Sequence, residues 1–275
     1  MADSASQRQH IDRAEQLSRA ARLASGEETG QRALFFEGPE GIGKSSLLFE
    51  IHDRHRENGA YFVDLERTVR EYDVLETLAI QARGQRVETP SYRTARDRFA
   101  EQAGSLNVEF TNVRARASAF QIIGQTEDRI LRTAALSDAL LDNLLADDRR
   151  PVFCLDGFER CGQPMRKWLG DSLLPNLLSR KDAGVFLAGR EVPRLTHPDS
   201  TSVHTMVLPP FDVEAVQEWI EALGVTELHA KSLAIHQEYG GIPMLLDEFF
   251  TGHLAFGRAG LPRQQGVDRR GAQRP

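Results

Sequence analysis

The apolar residues of this chain follow two patterns. Some lie in short unbroken runs, at residues 32–37 (RALFFE), 60–65 (AYFVDL), 151–155 (PVFCL), 184–188 (GVFLA) and 203–208 (VHTMVL). Runs of that length predict strands, and their continuity suits strands covered on both faces, as in a parallel sheet. Elsewhere apolar positions recur every three or four residues, which predicts helices over 8–25, 44–56, 67–84, 91–104 and 127–146. In the first of these, Ile11, Ala14, Leu17, Ala21 and Leu23 share roughly one face. Partial alternation over 107–124 suggests a hairpin. Strand, glycine-rich turn, helix and strand in succession make a βαβ unit, hence an α/β fold with helices flanking a parallel sheet.

After residue 208 the pattern changes. Residues 212–223, 227–238 and 243–250 read as helices with no strand between them, a small helical subdomain. From 258 onward come five arginines, one aspartate, glycines and two prolines, a composition expected of a disordered tail or a linker. The expected layout is an N-terminal helix within 1–30, an α/β core over 31–209, a helical lid over 210–257 and a tail over 258–275. No internal repeat is visible.

Composition narrows the function classes. The 275 residues carry a formal charge of −6, which disfavours a dedicated basic nucleic-acid binder, although a local basic patch could still bind nucleic acid. No apolar run approaches the ~18 residues of a membrane span, and the polar opening has no signal-peptide core. Cys154 and Cys161 are too few for a disulfide framework. The expectation is a soluble cytoplasmic protein. Of 34 basic residues only Lys44, Lys167, Lys181 and Lys231 are lysine, so a lysine inside a motif carries more weight than usual.

One lysine does sit in a motif. Gly38-Pro39-Glu40-Gly41-Ile42-Gly43-Lys44-Ser45, followed by Ser46, matches G-x-x-x-x-G-K-[ST], the P-loop. An apolar strand feeds it and a helix leaves it, as the chemistry requires. Glycines let successive N–H groups turn toward phosphate oxygens, and the helix N-terminus adds its positive end. Lys44 would reach the β- and γ-phosphates, and the Ser45 hydroxyl would hold Mg²⁺.

Such a loop needs an acid at the end of a second buried strand. Val152-Phe153-Cys154-Leu155-Asp156 supplies four apolar residues and then a carboxylate for Mg²⁺. Three positions on, Glu159 could polarise an attacking water. The strand at 184–188 runs into Gly189 and Arg190, placing a guanidinium at the carboxyl end of the sheet, where it could sense a γ-phosphate. Tyr239-Gly240-Gly241-Ile242-Pro243 opens a helix, with proline suited to its first turn. On each of these a plainer role competes, as turn acid, surface arginine or helix connection.

Together the motifs resemble those of the STAND class of P-loop ATPases, close to AAA+ proteins and including the NACHT and NB-ARC modules. The resemblance covers about residues 8–255. Asp156, the small Gly157 and Glu159 look like the NACHT form of Walker B, Arg190 falls where the family has its sensor 1 arginine, and Gly241-Ile242-Pro243 resembles its G-x-P motif. The resemblance implies that Pro243 contacts the nucleotide from the lid. It also implies a regulatory ATPase in which ADP keeps a closed form and ATP permits opening and association with further copies or a partner protein. Two features depart from the pattern. Lys44 and Asp156 lie 112 positions apart, long for the family, so about 84–130 reads as an insertion. The winged helix and repeat array that usually follow have no room here, so the chain reads as a fragment or a stand-alone module. A steadily cycling AAA+ ATPase acting on DNA or protein, and a P-loop kinase, are the competing readings. No Asn-Lys-x-Asp or Leu-Ser-Gly-Gly sequence supports a GTPase or an ABC-type ATPase.

Overall fold

The computed structural model describes residues 12–28, 30–68, 70–104, 127–146, 149–180, 182–196 and 199–258. In chain order they form α1 (Ala14–Ser25), β1 (Ala33–Glu37), α2 (Lys44–Arg54), β2 (Ala60–Asp64), α3 (Glu71–Gly84), α4 (Pro90–Gly104), α5 (Glu127–Leu144), β3 (Val152–Asp156), α6 (Gln163–Trp168), α7 (Leu174–Ser179), β4 (Gly184–Gly189) and β5 (Val203–Val207). The helical subdomain after β5, the expected lid, adds α8 (Val213–Leu223), α9 (Ser232–Tyr239) and α10 (Pro243–Arg258).

The five apolar runs become one parallel sheet in the order β2-β3-β4-β1-β5. Alternate residues of each strand point to opposite faces. Phe35, Tyr61, Phe153, Val185 and Leu187 pack into the core that holds α3, α5, α6 and α7. Leu34, Cys154, Phe186 and Ala188 pack against Leu17 and Leu23 of α1 and Leu47 and Leu48 of α2. Burial on both faces explains the unbroken apolar runs. The edge strand β2 is covered by side chains: Gln81 of α3 donates to the Phe62 carbonyl and accepts from the Phe62 N–H, and Gln85 donates to the Ala60 carbonyl. Those amides occupy an edge that would otherwise pair with another strand.

Several boundaries differ from the sequence pattern for local reasons. Helix α1 starts at Ala14, because Asp12 takes a left-handed φ of 55° and Arg13 turns inward. Helix α3 starts at Glu71, after a turn in which the Asp64 carbonyl accepts from the Arg67 N–H and the Asp73 carboxylate caps the Arg70 N–H. The stretch 227–238 divides into a 3₁₀ segment, Thr226–Lys231, and α9, and α10 runs on past residue 250. Helices α6 and α7 have no counterpart in the reading of the sequence. Pro164 and Pro175 interrupt that stretch, yet each sits in the first turn of a helix, and a π-turn at Leu169–Leu173 joins the two. The hairpin expected over 107–124 falls outside the described residues. On either side of that gap, α4 and α5 pack together and α5 also packs on α3, within the crossover from β2 to β3.

The lid has its own core of Phe211, Val216, Trp219, Ile220, Leu246 and Phe250. Asp212 caps α8 by accepting from the Ala215 N–H at 2.8 Å. The Phe211 N–H donates to the Gly241 carbonyl at 2.9 Å, and the Phe211 carbonyl lies 3.0 Å from His236 Nε2. These contacts fix the double-glycine turn against the chain that leaves the sheet.

The two glycines of that turn can be told apart. Both have left-handed φ, 61° at Gly240 and 66° at Gly241, but a Cβ at Gly241 would lie 2.1 Å from the Phe211 carbonyl oxygen, while one at Gly240 would meet nothing within 4 Å. Gly240→Ala should cost about 1–2 kcal/mol, the left-handed penalty. Gly241→Ala should cost about 2–4 kcal/mol, because overpacking adds to that penalty. Denaturant unfolding of both variants measures the difference, and equal losses would show that the contact with Phe211 does not set the turn.

Candidate functional site

Three strand ends create the site. The chain leaves β1 at Gly38, β3 at Asp156 and β4 at Gly189, all on the carboxyl edge of the sheet. Pairing carries into the loops: the Gly38 N–H donates to the Gly189 carbonyl at 3.3 Å, and the Gly157 N–H to the Ala188 carbonyl at 3.1 Å. Between this edge and the lid lies a cavity of about 920 Å³, lined by the loop 40–46, Asp156, Glu159, Pro243 and Met244, among others.

The loop has the backbone its motif calls for. Gly41 and Gly43 have φ of 77° and 95°, values unfavourable for residues with a Cβ, and Gly43 is the N-cap of α2. Ile42 is buried and anchors the loop to the core. The Lys44 ammonium donates to the Gly38 and Pro39 carbonyls at 2.8 Å each. Burial pulls its pKa down, while the carboxylates of Glu159, Asp156 and Glu40 oppose that shift. Ser46 lines the cavity beside Ser45.

Across from the loop, Asp156 lines the same cavity as Ser45. Burial raises the Asp156 pKa, and Asp64 and Glu159 add to that effect, against the lowering by Ser45. Asp64 ends β2 directly opposite Asp156 in the strand register. Among the described residues, no group of three or more His, Cys, Asp or Glu side chains could hold a metal ion. One hydroxyl and one carboxylate do fit a Mg²⁺ that arrives on phosphates and keeps several waters. Asp156 is also a half-buried acid whose negative charge partial burial opposes, and a cation would relieve that cost.

Glu159 sits in the short turn after β3 and is only 14% exposed. Its Oε2 is buried without a hydrogen-bond partner, and its Oε1 lies 3.7 Å from Arg190 Nε. Arg190 also donates from Nη2 to Glu40 Oε2 at 2.7 Å. A Cβ at Gly189 would lie 2.3 Å from the Glu191 carbonyl and 3.1 Å from Glu159 Oε2, so glycine there gives the turn its room. Lys44, Ser45, Asp156, Glu159 and Arg190, spread over 147 positions of the sequence, thus meet in one place.

Pro243 lines the same cavity, at the first turn of α10. The neighbouring Met244 N–H donates to the Gly41 carbonyl at 3.1 Å, joining lid and loop directly.

Three residues of the site were not found from the sequence. Arg13, 3% exposed, donates from Nη2 to the Ile42 carbonyl at 3.1 Å and the Pro209 carbonyl at 3.0 Å, and lies over the Phe211 ring. It ties loop, sheet exit and lid together, and burial lowers its pKa. Arg166 of α6 donates to the Glu159 and Cys161 carbonyls and to the Glu191 carboxylate, so it clamps the turn carrying Glu159 to the loop after β4. Asp64 is the third. Its signal was present, an acid ending an apolar run, the pattern that singled out Asp156.

No protein-family model matches the sequence, and neither does any curated protein. Solved structures do resemble it. The Walker-type ATPase PABY2304 of Pyrococcus abyssi superposes with a TM-score of 0.53 at 15% identity, covering 90% of this chain and 68% of that one. For the Orc1 protein of Aeropyrum pernix in complex with DNA the values are 0.48 and 18%, with 91% and 62% covered. For a STAND protein with a tetratricopeptide repeat sensor from Pyrococcus horikoshii they are 0.45 and 14%, with 83% and 28% covered. The chain thus spans about two thirds of the first two structures and less than a third of the last. At these identities the likeness is one of fold. With five parallel strands in the order β2-β3-β4-β1-β5 and the glycine-rich loop after β1, the chain has the P-loop NTPase fold.

Proposed function

We propose that the chain binds ATP and ADP with Mg²⁺ and hydrolyses ATP slowly, as a STAND-type switch whose lid responds to the nucleotide. The observation that carries this reading is the convergence of Lys44, Ser45, Asp156 and Glu159 on one cavity, with Arg190 held beside it by Glu40 and Glu159 and α10 hydrogen-bonded to the loop itself.

In this reading the phosphates settle on the N–H groups of the loop and the N-terminus of α2. Lys44 leaves the Gly38 and Pro39 carbonyls for the β- and γ-phosphates. Ser45 and Asp156 would hold a Mg²⁺ ion, which would neutralise phosphate charge. Glu159, whose Oε2 has no other partner, takes a proton from water. The water oxygen bonds to the γ-phosphorus as the bond to the β,γ-bridging oxygen breaks, leaving ADP and phosphate. Arg190 stabilises charge on the transferring group. Glu191, the other acid near by, is paired with Arg166 and 62% exposed, which suits the role less well. Pro243 contacts the nucleotide from the lid side, and the Met244–Gly41 bond gives lid and loop a common element that nucleotide can bias. A steadily cycling AAA+ ATPase would use the same residues; the lid contact favours the switch, and a turnover number separates the two. Assembly with further copies or a partner protein in the ATP state belongs to the same proposal. No helix among the described residues is long and apolar enough to cross a membrane.

Calorimetry tests the binding step. Lys44→Ala should weaken ATP and ADP binding at least about tenfold with the far-UV spectrum unchanged, since the side chain faces the loop. Undiminished binding would place the nucleotide elsewhere. Glu159→Gln should leave ATP binding nearly intact and slow hydrolysis by about 10²-fold or more. An unchanged turnover number would remove the general-base role.

Asp156 predicts an opposition between stability and function. Its folded pKa is raised above the ordinary 3.8. Just above that value the folded protein therefore keeps a proton that the unfolded chain has lost. Stability falls as pH rises from the unfolded pKa through the folded one. In chelator and without nucleotide, Asp156→Asn should melt higher at pH 7, by about 2–4 °C for each kcal/mol relieved, and the gain should fade toward pH 4. The same variant should lose Mg²⁺-dependent ATP binding. A lower melting temperature at pH 7 would contradict the burial argument.

A further inference from the structure

Glu40 is the third residue of the phosphate loop, and its carboxylate faces the sensor side of the cavity. Oε2 accepts from Arg190 Nη2 at 2.7 Å, and Oε1 lies 3.4 Å from Arg160 Nη2. Arg160 is in turn paired with Glu66. The Arg190 guanidinium therefore lies between two acids, Glu40 of the loop and Glu159 of the turn after β3. A guanidinium donates to carboxylate and phosphate oxygens in the same way. One residue further along, the Gly41 carbonyl accepts the Met244 N–H of the lid. Adjacent loop residues thus hold the sensor arginine and the lid.

We propose that Glu40 stands in for the terminal phosphate: its carboxylate holds Arg190 in the empty and ADP-bound protein, and a triphosphate must displace it. The proposal rests on the nucleotide site described above and adds to it a residue that sets the preference between ATP and ADP. ADP has no group that competes for Arg190 and leaves the Glu40–Arg190 pair intact. ATP gains the arginine only by breaking the pair, so the loop acid taxes ATP binding and leaves ADP binding untaxed. Both partners are about half exposed, and an ion pair of that kind shifts a competing equilibrium by about 1.4- to 5-fold. Release of Glu40 happens next to the residue bonded to the lid, so the choice between di- and triphosphate is made where the lid is attached.

A double-mutant cycle tests this. Mg²⁺-ADP and the Mg²⁺ complex of the β,γ-imido analogue of ATP are titrated by calorimetry into the wild type, Glu40→Gln, Arg190→Ala and the double variant. Glu40→Gln should raise the affinity for the analogue relative to ADP by about 1.4- to 5-fold. In the Arg190→Ala background the same substitution should leave that ratio unchanged. A ratio that does not move in Glu40→Gln overturns the proposal. A ratio that moves equally with and without Arg190 also overturns it, because simple charge repulsion then accounts for the effect. A wild type that binds neither nucleotide overturns the site reading itself, and the proposal with it.

Discussion

The arrangement depends on β4 lying between β1 and β3. Strands in a sheet are about 4.8 Å apart, so this insertion sets the loop-bearing strand and the acid-bearing strand about 10 Å from each other. Parallel register then aligns their ends: Glu37 lies opposite Gly189, and Asp156 opposite Ala188. The loop that leaves β1 rises and turns back into α2, so that Ser45 and Asp156 line one cavity. Gly189 keeps the space at the end of β4 clear, because a side chain there would collide with the Glu191 backbone and crowd Glu159.

A site built this way concentrates charge that the empty protein must tolerate. Lys44 loses basicity to burial, and Asp156 is made harder to ionise by burial and by the neighbouring acids Asp64 and Glu159. The groups are quieted by temporary partners: carbonyls of the loop for Lys44, the Ser45 hydroxyl for Asp156, Glu40 for Arg190. In the proposed function each partner is one that phosphate or Mg²⁺ can replace. Glu159 Oε2 alone among these groups has no hydrogen-bond partner, which suits a position that water occupies during reaction.

Much of this was legible in the chain. The five strands were visible because burial on both faces leaves continuous apolar runs, and the loop because its glycines and lysine follow a strict spacing. Asp156 could be read from the run that precedes it. Arg13 could not, since one arginine among many carries no signal until the fold brings it against Ile42, Pro209 and Phe211. Arg166 was hidden for the same reason, and α6 and α7 were hidden by Pro164 and Pro175, which start helices here but ordinarily signal breaks. Asp64 was overlooked although it ends a strand as Asp156 does. Its role follows from sheet order, and the local sequence does not reveal which strands are neighbours.

In the proposed function the lid couples this charged site to a mechanical element. Arg13, Gly41 and Gly241 fasten the loop and the sheet exit to α10 and to Phe211, so the loop's conformation and the lid's position are not independent. Amide hydrogen exchange measures that coupling most directly. With saturating Mg²⁺-ATP, the amides of residues 41–46 should exchange more slowly than in the empty protein, and the Met244 amide should exchange at different rates in the ATP- and ADP-bound forms. Exchange at all of these amides that is the same with and without nucleotide would contradict a nucleotide site that governs the lid.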